Sequence, residues 1–97
     1  MATTLTAKQW RMLEILETWS GHGTIEVEIQ WGDYDCASGN YPTDAEDARG
    51  WNACRLVVLN LVRSLVRKGY AEINDDGYCI TDAGLAALAQ RREEAGP

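Results

Sequence analysis

The absences in this chain of 97 residues narrow its functions before any motif does. No apolar run reaches the ~20 residues that a bilayer-spanning helix needs, so no membrane partner is expected. The opening MATTLTAKQW lacks a charged stretch followed by an apolar one. No signal peptide is therefore expected, and the chain reads as cytoplasmic. There is one histidine, His22, which makes neither a metal site nor a catalytic triad. Set between Gly21 and Gly23, it reads as a turn residue. Three cysteines, Cys36, Cys54 and Cys79, cannot all pair within the chain, and no CxxC occurs. A reduced context fits, with Cys54 and Cys79 as small core residues. No glycine-rich phosphate loop, metal-ligand spacing or nucleophile with a base stands out, so neither an enzyme nor a cofactor is expected. There is no internal repeat and no low-complexity segment.

What remains suits one domain over residues 1–97, with 1–5 and 93–97 expected to fray. The net charge is −6, but the charges are segregated. Nine acids and no Lys or Arg lie between Met12 and Asp47. Five basic residues and no acid lie between Arg49 and Ala71. Four acids and no base lie between Glu72 and Asp82. The acids either solubilise a small domain or form an acidic face for a basic partner.

Trp51 to Gly69, WNACRLVVLNLVRSLVRKG, reads as one helix and as the central core element. Leu56, Val57, Val58, Leu59, Leu61, Val62, Leu65 and Val66 leave it apolar on most of its circumference, which predicts cover on several sides. One polar stripe survives at 100° per residue: Arg49, Asn52, Asn60, Arg63, Ser64 and Arg67. Leu56 falls inside that stripe and is expected to be exposed. Gly69 ends the helix, with Arg67 and Lys68 in the last turn, where cations suit the dipole.

Thr6 and Gln9 have capping-box spacing and start a first helix that runs to about Trp19, with Leu5 as staple. Trp10, Leu13 and Leu16, with part of Met12, Ile15 and Trp19, form its buried side. In TIEVEIQW, Thr24 to Trp31, Ile25, Val27, Ile29 and Trp31 alternate with polar residues. That period of two predicts a half-buried strand, with a short helix as the competing reading. Gly32 to Pro42 reads as a loop carrying Tyr34 and Tyr41, rings that either fold onto the core or serve an interface. Thr43 opens a short helix, with Glu46 at capping-box spacing and Asp44, Glu46 and Asp47 favouring its start. Gly50 either breaks this helix from the central one or is tolerated inside a single long helix at about 1 kcal/mol. Asp75-Asp76-Gly77 is a hairpin turn between strands Tyr70–Asn74 and Tyr78–Thr81, with Ile73 and Ile80 inward. Thr81 caps a last helix, about Asp82 to Arg92, with Leu85, Leu88 and Ala89 inward.

The run LVRSLVRKGYAEINDDGYCITDAGLAAL resembles the second half of winged-helix domains such as the MarR-like and PadR-like repressors. Leu65 and Gly69, Asp75 to Gly77, Ile80, Thr81 and Gly84 carry the likeness, which covers roughly residues 43 to 92. It implies an α+β winged helix: helix, strand, helix, helix, two-strand wing hairpin, helix. It also implies a recognition helix whose Arg49, Asn52, Arg63 and Arg67 meet DNA. Three features depart from DNA binding. The wing Glu72-Ile73-Asn74-Asp75-Asp76 is acidic, the pI is about 4.6, and Asp44, Glu46 and Asp47 precede the central helix. In size, acidity and abundant Trp and Tyr, the chain also resembles small acidic phage-encoded anti-CRISPR proteins.

These features together predict a non-enzymatic, protein-binding inhibitor of a nucleic-acid-handling complex, of the anti-CRISPR kind. Its expected partner is a larger protein or ribonucleoprotein with a basic nucleic-acid path. The alternatives are a dimeric DNA-binding regulator and a plain scaffolding subunit. Two faces are candidate interfaces. One is the acidic segment with Glu26, Glu28, Asp33, Asp35 and Asp44, anchored by Tyr34, Tyr41 and Trp31. The other is the helix stripe Asn52, Leu56, Asn60, Arg63 and Arg67.

Overall fold

The computed structural model describes residues 5–35 and 45–95, with side chains for 5–31 and 55–94. The fold is α+β: four helices and one two-stranded antiparallel hairpin. None of the described helices is long and apolar enough to cross a membrane.

Helix α1 spans Ala7–Trp19. Its capping box forms as the sequence predicts. Gln9 N–H donates to Thr6 Oγ1 at 3.1 Å, and Thr6 N–H donates to Gln9 Oε1 at 2.9 Å. Met12, Leu13, Ile15 and Leu16 are buried, while Trp10, Trp19 and Leu5 pack at the core's edge. This helix touches the other three and the hairpin, so it shares the central role expected of the Trp51–Gly69 helix alone.

The segment expected as a strand over Thr24–Trp31 is helical instead: α2 spans Ile25–Asp35. The helix also takes in Gly32 to Asp35, expected as loop. An alternation of apolar residues contains i, i+4 pairs, so it satisfies both periods at once. On a helix Val27 and Trp31 fall one turn apart, and both are fully buried. Ile25 turns away and is 62% exposed, which a strand with one buried face would not allow. Glu26 and Glu28 in the first turn suit the dipole, and Glu28 N–H closes the first turn on Thr24 O at 3.0 Å. Cys36, Tyr41, Thr43 and Asp44 lie outside the described residues, as do the side chains of Asp33, Tyr34, Asp35, Glu46, Asp47, Arg49, Asn52 and Cys54, and with them the roles expected of these residues.

Helix α3, Ala45–Arg67, runs unbroken through Gly50 for 23 residues, about 35 Å. The single-helix alternative therefore holds. Its cover is narrower than the apolar run implied. Val58, Val62 and Leu65 are buried, but Val57 and Val66 are exposed along with Leu56. Its main contacts are with α1, α2 and the first strand. The helix stops as expected. Gly69 adopts φ +83°, its N–H donates to Val66 O at 2.9 Å, and Tyr70 N–H donates to Leu65 O at 2.9 Å. Only glycine takes that φ without strain, and the two bonds satisfy carbonyls that the helix end leaves open.

Strands β1, Ala71–Asn74, and β2, Gly77–Ile80, pair antiparallel, with Ala71 opposite Ile80 and Asn74 opposite Gly77. Ile73 shares the inward face with Ala71, Tyr78 and Ile80 but lies near the turn, beyond the core, and is 45% exposed. Its expected burial is therefore corrected. Cys79 is buried, as predicted. The α1–α2 connection runs beside β2: Gly23 N–H donates to Asp76 O at 2.7 Å, and Gly21 N–H to Tyr78 O at 3.3 Å. Gly77 touches Gly23 there; a Cβ on Gly77 would lie 2.5 Å from the Gly23 carbonyl carbon.

Helix α4, Asp82–Ala95, is capped by Thr81, whose Oγ1 accepts from Gly84 N–H at 3.1 Å and donates to Gly69 O at 2.6 Å. Its inward residues are Gly84, Ala87 and Leu88; Leu85 and Ala89, expected inward, are exposed. Close seating of Gly84 on the Tyr70 carbonyl sets this rotation. The helix persists past Arg92, where fraying was expected. Arg92 holds Glu17 of α1 through two hydrogen bonds of 2.9 and 2.7 Å, and the Arg91 guanidinium lies 4.7 Å from the centre of the Trp10 ring.

Candidate binding surface on α3 and its cleft

Along α3 the exposed stripe survives as predicted through Leu56, Asn60, Arg63 and Arg67. Leu56 is 61% exposed, a large apolar side chain amid polar ones. Ser64 leaves the stripe. It donates to Leu61 O at 2.6 Å and accepts from Gln9 Nε2 at 3.0 Å, which ties it to α1. The hairpin follows the helix directly, and Glu72, Asp75 and Asp76 are all exposed. The surface thus sets apolar and cationic groups on the helix next to an acidic turn.

The acidic face fares differently. Glu26 is half-buried, and Glu28, expected at an interface, is buried at 4% exposure. Its carboxylate is matched within the fold: Arg55 Nε–H donates to Glu28 Oε2 at 3.1 Å. Glu28 is therefore not free surface charge. On helix α2 it falls beside Trp31 and Val27, the inward side, which the strand reading concealed.

The pair lies in a cleft of about 300 Å³ lined by Glu28, Arg55, Leu56, Leu59 and Tyr78. Burial pushes the Tyr78 hydroxyl above its ordinary range; the Glu28 charge adds to this, and Arg55 and Arg63 oppose it. Tyr78 therefore stays protonated at neutral pH, able to donate and to accept. Leu56 belongs to both the cleft and the stripe, so the two are continuous. Arg55, Leu59 and Tyr78 were not singled out as candidates. Their only signals are the α3 rotation, which puts Arg55 and Leu59 one turn apart on the same edge, and the β2 alternation that pairs Tyr78 with Ile80.

No group of three or more His, Cys, Asp or Glu among the described residues is placed to hold a metal ion. The chain matches no protein-family model, no curated protein and no solved structure.

Proposed function

We propose that this chain is a winged-helix-like domain that acts by binding protein, as an inhibitor of a nucleic-acid-handling complex of the anti-CRISPR kind. The element order supports the fold reading. Three helices precede the hairpin and one follows it, although the strand expected at Thr24–Trp31 is the helix α2 and only the bridge from Gly23 to Gly77 joins that part of the chain to β2. The α3 face carries the functional reading. In the recognition-helix position it exposes Leu56 among Asn60, Arg63 and Arg67, and the hairpin that follows it carries the exposed acids Glu72, Asp75 and Asp76. Exposed apolar groups with arginines suit a protein interface, whereas duplex phosphates are repelled by the acids beside the helix. The alternative, a DNA-binding regulator, draws on Arg63 and Arg67, which share the exposed stripe.

The test is target-DNA binding by purified CRISPR effector ribonucleoproteins of several types, with and without this protein. The expected result is inhibition of one type, weakened by Leu56→Ala and Arg63→Ala. A nanomolar, salt-sensitive affinity for duplex DNA, lost in Arg63→Glu, would reverse the ranking in favour of the regulator.

A further inference from the structure

The cleft beside α3 combines groups of opposite hydrogen-bonding sense. Glu28 uses Oε2 for Arg55, and its Oε1 accepts no hydrogen bond from any described residue. Among the described residues Arg55 engages Glu28 through Nε alone, and the edge formed by its two Nη groups donates to none of them. A carboxylate and a guanidinium together carry no net charge, so the cleft does not select an ion. It presents an acceptor and donors side by side, with the Tyr78 hydroxyl as a further partner. Leu56 and Leu59 form its apolar wall.

The buried member decides what is gained on binding. The Glu28 side chain is 5% exposed, whereas Arg55 is 54% exposed and solvated. Completing the hydrogen bonds of a carboxylate withdrawn from water returns more than replacing water on an exposed guanidinium. A ligand must therefore bring an N–H to Glu28 Oε1 and an acceptor to Arg55. A cation would meet the Arg55 charge, and an anion the Glu28 charge.

We propose that this cleft is a recognition pocket for the neutral side-chain carboxamide of a glutamine or asparagine of the partner protein. The amide N–H donates to Glu28 Oε1, and its carbonyl accepts from Arg55. The aliphatic part of the same residue lies against Leu56 and Leu59. The inference rests on the protein-binding reading, to which it adds the chemistry of one contact.

The test is a two-dimensional NMR titration of the isotope-labelled full chain with four probes: N-acetylglutamine methylamide, the glutamate and lysine counterparts, and cytidine. The expected result is saturable shifts confined to the cleft residues, with the glutamine probe tightest. Glu28→Gln keeps the side-chain size but turns a donor toward the cleft and leaves Arg55 uncompensated. It should weaken the glutamine probe at least about tenfold and make the glutamate probe the preferred one. Three results would overturn the pocket: no saturable shift with any probe, cytidine tightest (a nucleobase site), or an ionic probe tightest on the parent chain. If Glu28→Gln does not fold, the parent's order of preference decides alone. Effector inhibition without amide binding removes only the pocket. Amide binding without inhibition removes only the proposed function.

Discussion

Replacing Gly84 by alanine tests the packing of α4, because helix propensity and tertiary structure give opposite signs. Gly84 lies in the first turn of α4, where alanine by itself should stabilise the helix by about 1 kcal/mol. The built Cβ, however, meets the Tyr70 carbonyl oxygen and lies 2.7 Å from Ile80 Cγ1. Ordinary carbon contact needs about 3.5 Å, so either the Ile80 side chain or α4 must move by roughly 0.8 Å. The Ile80 side chain can turn aside, but the Tyr70 carbonyl is backbone and also accepts from Thr81 N–H at 3.1 Å. Lifting α4 strains that bond, the Thr81 cap and the seating of Leu88 in the core. Overpacking of this kind costs typically 1–3 kcal/mol, and at a backbone contact the upper end applies. After the propensity gain, the expected net loss is about 2 kcal/mol. For a domain of this size that lowers the melting midpoint by roughly 8–16 °C. Urea unfolding followed by circular dichroism measures it, with Ala86→Gly at an exposed position of the same helix as control. The control should lose about 1 kcal/mol from propensity alone. A Gly84→Ala variant as stable as the parent, or more so, refutes the close seating of α4 on the Tyr70 carbonyl.

Three further outcomes are expected. Thr81→Ala removes the cap on Gly84 N–H and the bond to Gly69 O, and should cost about 1–2 kcal/mol in urea unfolding; no change would mean that water replaces both bonds. Arg55→Ala leaves the Glu28 carboxylate buried without its partner and should cost about 2 kcal/mol. In a Glu28→Leu background the same change should cost under ~0.5 kcal/mol, and additive losses would mean that the two side chains are not coupled. The Arg92 hydrogen bonds hold the Glu17 carboxyl below its ordinary range. A depressed folded value contributes stability above the unfolded value, and this is lost as pH falls through the folded one. Arg92→Ala should therefore lower the thermal midpoint modestly near neutral pH, with a deficit that shrinks as falling pH protonates Glu17, whereas a deficit that does not change with pH would assign the effect to packing.

What the sequence determined by itself is local. The Thr6–Gln9 capping box, the Gly69 helix stop, the Asp75–Asp76 turn and the Thr81 cap each depend on residues within a few positions of one another. So does the stripe of Leu56, Asn60, Arg63 and Arg67, because helical geometry alone sets which side chains share a face. Tertiary structure decided the rest. The alternation in Thr24–Trp31 fits two periods, and only the burial of Val27 and Trp31 against the core selects the helix. The rotation of α4 follows from Gly84 meeting Tyr70, a contact that no propensity encodes. The cleft joins Glu28 of α2, Arg55 of α3 and Tyr78 of β2, and the first two are 27 positions apart. Glu28 looked like one more solubilising acid because charge read along the chain carries no information about which carboxylate the fold removes from water.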